Sequence, residues 1–156
     1  MKSAGFSFIE LMAALAIMAA LLLIAVPSAR LASQRHREAE LRAALTEIRG
    51  AIDKYKKATE QGKISLKVGE SGYPPNLTVL VDGVVDAGNP RGQKLYFLRR
   101  LPADPFYAGA ATAPEATWGL RSCESPPDDP KAGDDVFDVF SQSAQTGLNG
   151  IPYSQW

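Results

Sequence analysis

The chain has 156 residues, which is enough for one globular core with at most one appendage. Its 17 Lys and Arg residues balance 17 Asp and Glu residues, so it lacks the basic excess typical of nucleic-acid-binding proteins. Cys123 is the only cysteine and His36 the only histidine, which excludes an intramolecular disulfide and a zinc site built from several such ligands.

The first element in chain order is an apolar segment long enough to cross a membrane. No charged residue occurs between Glu10 and Arg30, where Ala, Leu, Met and Ile predominate. From Phe6 to about Ala29 the segment approaches the roughly 20 residues that a helix needs to span a hydrocarbon core about 30 Å thick. Because these residues also favour helix, the sequence predicts one membrane-spanning α-helix.

The start of this segment differs from an ordinary signal peptide. The small residues Ala4 and Gly5 precede the apolar core instead of following it, and the carboxylate of Glu10 lies inside its first turns. An acidic side chain in a spanning helix costs about 2.5–3.5 kcal/mol near the centre and less toward an end. Glu10 therefore requires a partner or a function, and a generic single-pass anchor is the alternative interpretation.

Residues 5–11, GFSFIEL, followed by the apolar run, resemble the leader of type IV pilins and type II secretion pseudopilins. In that family a membrane-embedded aspartyl peptidase, the prepilin peptidase, cleaves after the glycine and methylates the new amino terminus. The resemblance implies removal of residues 1–5, cleavage between Gly5 and Phe6, and N-methylation of Phe6.

This processing would give the Glu10 carboxylate a cationic partner. Cleavage exposes a cationic amine on Phe6, and in a filament the amine of a neighbouring subunit can approach the same carboxylate. The two charges, each costly in lipid, then neutralise each other. We therefore expect Glu10 to set the axial register of subunits during assembly.

The resemblance also implies a single-pass protein of the bacterial inner membrane, with a cytoplasmic amino terminus and a periplasmic carboxy-terminal domain. Positive-charge counting favours the opposite orientation, because Arg30, Arg35 and Arg37 follow the span. We give precedence to the leader motif, which must face the cytoplasm for processing.

Pro27 predicts a kink, since it removes a backbone hydrogen bond and yet is tolerated in membrane helices. Beyond it the helix continues in amphipathic form over residues 30–60. Apolar side chains there recur at the helical period and predict a core-facing stripe, formed by Leu41, Leu45, Ile48, Ile52 and Tyr55.

The middle of the chain gives weaker signals. Residues 64–68 alternate and predict a short strand, and Asn76 is placed to cap a short helix that ends at Leu80. The basic segment 91–100 contains aromatic residues, a combination that can bind single-stranded nucleic acid. Because nearby acidic runs balance its charge, we expect a solvated surface and no nucleic-acid partner.

A second resemblance covers the carboxy-terminal part. The motifs Tyr73-Pro74, LPADPF (101–106), WGL (118–120) and DVFS (138–141) follow the order found in the major pseudopilin of type II secretion systems. Alternation over residues 117–122 and 136–140 predicts an antiparallel strand pair joined by the loop 124–135.

The predicted fold is therefore α+β, a type IV pilin fold in which a long amino-terminal helix packs on a small antiparallel β-sheet. The helix comprises a transmembrane half, residues 6–29, and an amphipathic half, residues 30–60. The amphipathic half belongs to a periplasmic globular domain of residues 30–156.

The family often binds calcium near its carboxyl terminus, and this chain has acidic residues there, namely Asp128, Asp129, Asp134, Asp135 and Asp138. Calcium requires six to eight oxygen ligands. Gln145 stands where calcium-binding relatives carry an aspartate, so we expect no metal and no other cofactor. Cys123 is expected to be a small, semi-buried hydrophobic residue, and the missing disulfide favours a pseudopilin over many type IV pilins.

The sequence thus predicts a structural protein and not an enzyme, because no Ser/His/Asp arrangement can be assembled with His36 beside the membrane. The expected function is that of a type II secretion pseudopilus subunit, which assembles with itself, other pseudopilins and an inner-membrane platform to drive protein export. The alternative is a major or minor subunit of a type IV or competence pilus, serving adhesion, DNA uptake or motility.

Overall fold

The computed structural model describes residues 7–89, 91–110 and 113–156. In chain order its elements are α1 (Phe8–Glu60), α2 (Val79–Asp82), β1 (Val84–Val85), β2 (Lys94–Leu95), a 3-10 helix (Pro114–Thr117), β3 (Trp118–Arg121), β4 (Asp138–Ser141) and a second 3-10 helix (Tyr153–Gln155). The predicted α+β class is confirmed. The strands form two separate two-stranded antiparallel sheets, β1–β2 and β3–β4, where a single sheet was expected.

The chain divides into two compact units, Met1–Arg37 and Glu38–Trp156. In the first unit α1 stays α-helical through Pro27, and the hydroxyl of Ser28 donates a hydrogen bond of 2.8 Å to the carbonyl of Ile24. The kink at Pro27 stays a prediction.

The second unit contains the hydrophobic core, and the predicted apolar stripe of α1 forms one side of that core. All five stripe residues are buried, with at most 6% of each exposed. Packed against them are buried side chains from the rest of the unit, among them Leu77, Leu80, Leu98, Phe106, Trp118, Val136, Val139 and Tyr153. The amphipathic pattern of α1 is therefore confirmed.

The β3–β4 pair confirms the predicted antiparallel hairpin and its long connecting loop. Its register places Trp118 opposite Ser141 and Gly119 opposite Phe140. A Cβ atom on residue 119 would lie 2.3 Å from the Phe140 ring, so only glycine fits at this position. The aromatic ring thus packs directly on the neighbouring backbone.

The strand predicted for residues 64–68 is wrong. Residues 67–70 form a turn, in which the Glu70 N–H donates to the Lys67 carbonyl (3.1 Å) and the Lys67 N–H donates to the Glu70 carboxylate (3.0 Å). Ile64 alone enters the core, while Val68 is fully exposed. The alternation of apolar and polar residues over 64–68 therefore belongs to a loop and not to a strand.

The predicted short helix is present, with shifted bounds. It runs from Val79 to Asp82 instead of ending at Leu80. The side-chain oxygen of Asn76 accepts a hydrogen bond of 3.0 Å from the Val79 N–H, as a residue that initiates a helix should.

Candidate processing and assembly site

The predicted processing residues Gly5 and Phe6 lie outside the described residues. The described chain begins at Ser7, and α1 begins at Phe8. Glu10 lies in the first turn of α1 and is exposed.

The surface around Glu10 is almost entirely apolar. The most exposed neighbours are Phe8 (78%) and Ile9 (75%), and large apolar side chains remain exposed along the helix as far as Val26. One 18-residue window of α1 has a mean hydropathy of 2.7, and none of it is buried. By length and composition α1 is able to cross a membrane, which would cover this surface.

Glu10 interrupts that apolar surface with a single carboxylate. Within residues 7–89, 91–110 and 113–156, no cation forms an ion pair with it. If α1 spans a membrane, an anion near the start of the span is costly in lipid unless a cation approaches it. The role of Glu10 in subunit register stays a prediction.

Three of the motifs that resemble those of the major pseudopilin, residues 101–106, 118–120 and 138–141, are joined by hydrogen bonds in the structure. Asp104 of LPADPF is buried and accepts a hydrogen bond of 2.5 Å from the hydroxyl of Ser141 in β4, while its N–H donates to the Thr117 hydroxyl (3.0 Å). The indole N–H of Trp118 donates to the Pro102 carbonyl at 2.8 Å. These residues tie the 101–106 segment to the β3–β4 sheet, which is a structural role.

The carboxy-terminal acidic residues do not converge. Asp138 pairs with Arg49 at 2.7 Å and with Arg121 at 3.4 Å, whereas the exposed Asp129 pairs with Lys131 at 2.6 Å. Among the residues with described positions, no group of three or more His, Cys, Asp or Glu side chains is placed to hold a metal ion. The absence of calcium binding stays a prediction.

Asp135 is buried within a network of hydrogen-bond donors. Its carboxylate accepts from the hydroxyls of Ser71 and Ser122 and from the backbone N–H of Cys123. Burial alone raises the pKa of Asp135, but hydrogen bonds from Cys123, Ser71 and Ser122 outweigh burial and lower the pKa to about 2. The ionised carboxylate of Asp135 thus holds Ser122 and Cys123, the two residues that precede the 124–135 loop.

Cys123 is exposed, so the expectation of a semi-buried hydrophobic residue is wrong. Its thiol forms a hydrogen bond with Asp135, and Cys123 lines a cavity of about 370 Å³ together with Tyr55 and Tyr73. That hydrogen bond is the main cause that raises the pKa of Cys123, and partial desolvation of the sulfur adds to it. A raised pKa keeps the thiol protonated and weakly nucleophilic at neutral pH.

Glu38, which no sequence pattern above indicated, is a carboxylate that is only 5% exposed at the start of the second unit. It accepts hydrogen bonds from the Leu148 N–H (2.8 Å) and from the Tyr153 hydroxyl (2.9 Å). Tyr153 is completely buried, and its ring stacks on Phe106 with centroids 4.1 Å apart. Glu38 lies three residues before Leu41, on the face of the apolar stripe, and this position is the sequence signal that could have revealed its burial.

The basic segment 91–100 contains β2, a strand that was not expected from the sequence. Lys94 and Leu95 of β2 pair with β1, and Leu98 enters the core, whereas Tyr96 is 65% exposed. Arg91, Arg99 and Arg100 are exposed, as expected of a solvated surface. The absence of a nucleic-acid partner stays a prediction.

Residues 1–26 match the family model described as the prokaryotic N-terminal methylation motif. No curated protein and no solved structure matches the chain. The motif supports a type IV pilin-like protein that is processed by a prepilin peptidase and assembles into filaments. Together with the exposed apolar half of α1, it fits anchoring in the inner membrane.

Proposed function

We propose that this chain is a structural subunit of a type II secretion pseudopilus, a helical filament that assembles from the inner membrane and drives protein export across the outer membrane. The observation that carries the proposal is the methylation motif over residues 1–26, which leads directly into an exposed apolar helix bearing Glu10.

The proposed division of the chain follows from this function. Residues 1–5 are a leader that the prepilin peptidase removes, and residues 6–29 hold the subunit in the membrane. Residues 30–156 form the periplasmic domain, whose amphipathic helix half lies under the core. The inner-membrane platform and other pseudopilins are the expected assembly partners.

Assembly moves the apolar helix from lipid into contact with neighbouring helices. Lipid tails are as apolar as leucine, so this transfer carries little hydrophobic penalty and depends on packing and polar contacts. In the filament Glu10 of one subunit would pair with the methylated amine of Phe6 of another. Such a pair fixes register, because displacement along the axis leaves both charges unpaired in an apolar surrounding.

A secretion pseudopilus is favoured over a surface pilus by two features of the sequence. The single Cys123 cannot form the carboxy-terminal disulfide of many type IV pilins. The four motifs of the globular domain also occur in the order found in major pseudopilins, and the hydrogen bonds of Asp104 and Trp118 attach the LPADPF segment to the sheet that WGL and DVFS form.

Processing is tested by the intact mass of the protein extracted from membranes of cells with an active prepilin peptidase. We expect a chain that begins at Phe6 and carries one additional methyl group. A Gly5→Val chain, which shields the scissile bond, should keep its leader and serves as the control. A wild-type chain that still begins at Met1 would contradict the family assignment.

Assembly is tested by Glu10→Gln, with Glu47→Gln as a matched control on the exposed face of the same helix. Removing one partner of a buried ion pair costs about 3–5 kcal/mol. We therefore expect Glu10→Gln to be cleaved and inserted normally while crosslinked filament falls at least about tenfold. Glu47→Gln should assemble normally. Wild-type filament levels from Glu10→Gln, or from Glu10→Leu, would refute the pairing.

The kind of filament is tested by deleting the gene and measuring exported proteins, twitching motility and DNA uptake in the same strain. Loss of export with normal motility and uptake is expected for a pseudopilus subunit. Normal export with loss of motility or uptake would assign the chain to a surface pilus.

A further inference from the structure

Three arginines follow the apolar segment within the first unit. Arg30 is the first charged residue after Glu10, and Arg35 and Arg37 follow it, all three with exposed side chains. By the positive-inside rule these cations oppose the orientation that the methylation motif requires. A feature that works against insertion calls for a compensating interaction on the side of the membrane that carries the globular unit.

The arginines extend over a length of helix slightly greater than the thickness of the headgroup region, and their flexible stems make up the difference. At a rise of about 1.5 Å per residue, residues 30–37 extend over about 10 Å of helix. The polar region on each side of a bilayer is about 5–8 Å thick, since the hydrocarbon core of about 30 Å lies within a total of about 40–45 Å. Arginine stems bend toward the interface and add several ångströms of reach.

The helix stays compatible with lipid up to this point. The hydroxyl of Ser28, which lies between Pro27 and the first arginine, donates to the Ile24 carbonyl at 2.8 Å. Its polar group is thereby satisfied inside the helix and does not draw water into the apolar segment. The border between the apolar and polar parts of α1 therefore falls directly before Arg30.

We propose that Arg30, Arg35 and Arg37 form a binding site for the phosphate groups of anionic phospholipids on the membrane face that carries the globular unit. A planar guanidinium donates two parallel hydrogen bonds to a phosphate, which suits arginine to this ligand better than lysine. Seven residues separate Arg30 from Arg37, close to two helical turns, so these two lie above one another on one face. Arg35 lies on a different face and widens the site around the helix.

The site would hold a subunit at a fixed depth before assembly, and these contacts must break when the subunit leaves the membrane. The proposal depends on the membrane span and not on the kind of filament. Its failure would leave the proposed function intact, because that function is tested by processing and by Glu10.

The test uses the mature chain in nanodiscs that contain equal parts of phosphatidylcholine and phosphatidylglycerol. Native mass spectrometry after release from the nanodisc counts the lipids of each kind that the protein retains. A cation near an anionic surface strengthens binding about fivefold. We expect selective retention of phosphatidylglycerol by the wild type, and its loss in the Arg30→Gln, Arg35→Gln, Arg37→Gln triple variant.

A second triple variant, Lys94→Gln, Arg99→Gln, Arg100→Gln, changes the net charge equally at a surface far along the chain and should retain phosphatidylglycerol. Circular dichroism checks that both variants keep their helix. Equal retention of the two lipids by the wild type, or the same loss in both variants, would overturn the proposal. So would a first variant that keeps its lipids and loses crosslinks between copies, because the arginines would then contact protein.

Discussion

Replacing Glu38 by alanine should destabilise the second unit by about 3 kcal/mol, because the carboxylate accepts hydrogen bonds from the buried Tyr153 hydroxyl and from the partly buried Leu148 N–H. The Tyr153 hydroxyl lies 2.9 Å from it and the Leu148 N–H lies 2.8 Å from it. A buried donor that loses its acceptor costs about 1–3 kcal/mol. Tyr153 is completely buried, so loss of the carboxylate leaves its hydroxyl away from bulk solvent.

The effect is measured by urea and thermal unfolding of a shortened chain that begins at Ser28 and lacks the apolar segment. For a domain of this size, 3 kcal/mol corresponds to a fall in Tm of about 10 °C. Glu47→Ala, an exposed site on the same helix, should change stability by less than about 0.5 kcal/mol.

A double-mutant cycle with Tyr153→Phe isolates the contact between the two side chains. Tyr153→Phe should be less harmful in the Glu38→Ala background, with a coupling energy of about 1 kcal/mol or more. Equal effects of Glu38→Ala and Glu47→Ala, or additive effects of the two substitutions, would refute the proposed role of this hydrogen bond.

The remaining predictions concern the same shortened chain. Its Tm should be independent of calcium because Gln145 supplies no carboxylate; a rise of several degrees that disappears in Asp134→Ala would show that a site exists. The pKa of Asp135 in the folded protein is about 2, below its ordinary value of 3.8, so the stability it confers is complete above that value and is lost as the pH falls toward 2. Urea unfolding between these pH values should therefore show a smaller pH dependence in Asp135→Asn, and an unchanged profile would contradict the assignment. Gly119→Ala should destabilise by about 1–3 kcal/mol because its Cβ would meet the Phe140 ring, whereas Gly50→Ala, with open space in a helix, should stabilise by about 0.5–1 kcal/mol; equal effects would argue against the close packing.

The sequence by itself determined the elements whose signals are local and periodic. The apolar run before Arg30 and the stripe from Leu41 to Tyr55 identify the two halves of α1, because a helix repeats its faces every 3.6 residues. Alternation likewise located β3 and β4 within one or two residues of their observed bounds. The methylation motif is also local, since it occupies consecutive residues at the amino terminus.

Only the tertiary structure decided whether residues 64–68 form a strand and which partners the acidic side chains contact. Residues 64–68 carry the alternation of a strand, yet no neighbouring strand lies beside them in the described chain, and a turn forms instead. Asp135 and Asp138 belong to one acidic run in sequence. In the fold, one turns to Ser71 and the other to Arg49.

Glu38 illustrates the physical reason for this division. Its partners Leu148 and Tyr153 lie 110 and 115 residues away in the chain, so no local pattern records the contact. Burial of a carboxylate is favourable only when donors are already held in place around it. Those donors exist only after the carboxy-terminal turn has packed against α1, and the core formed by the whole second unit therefore decides the role of this residue.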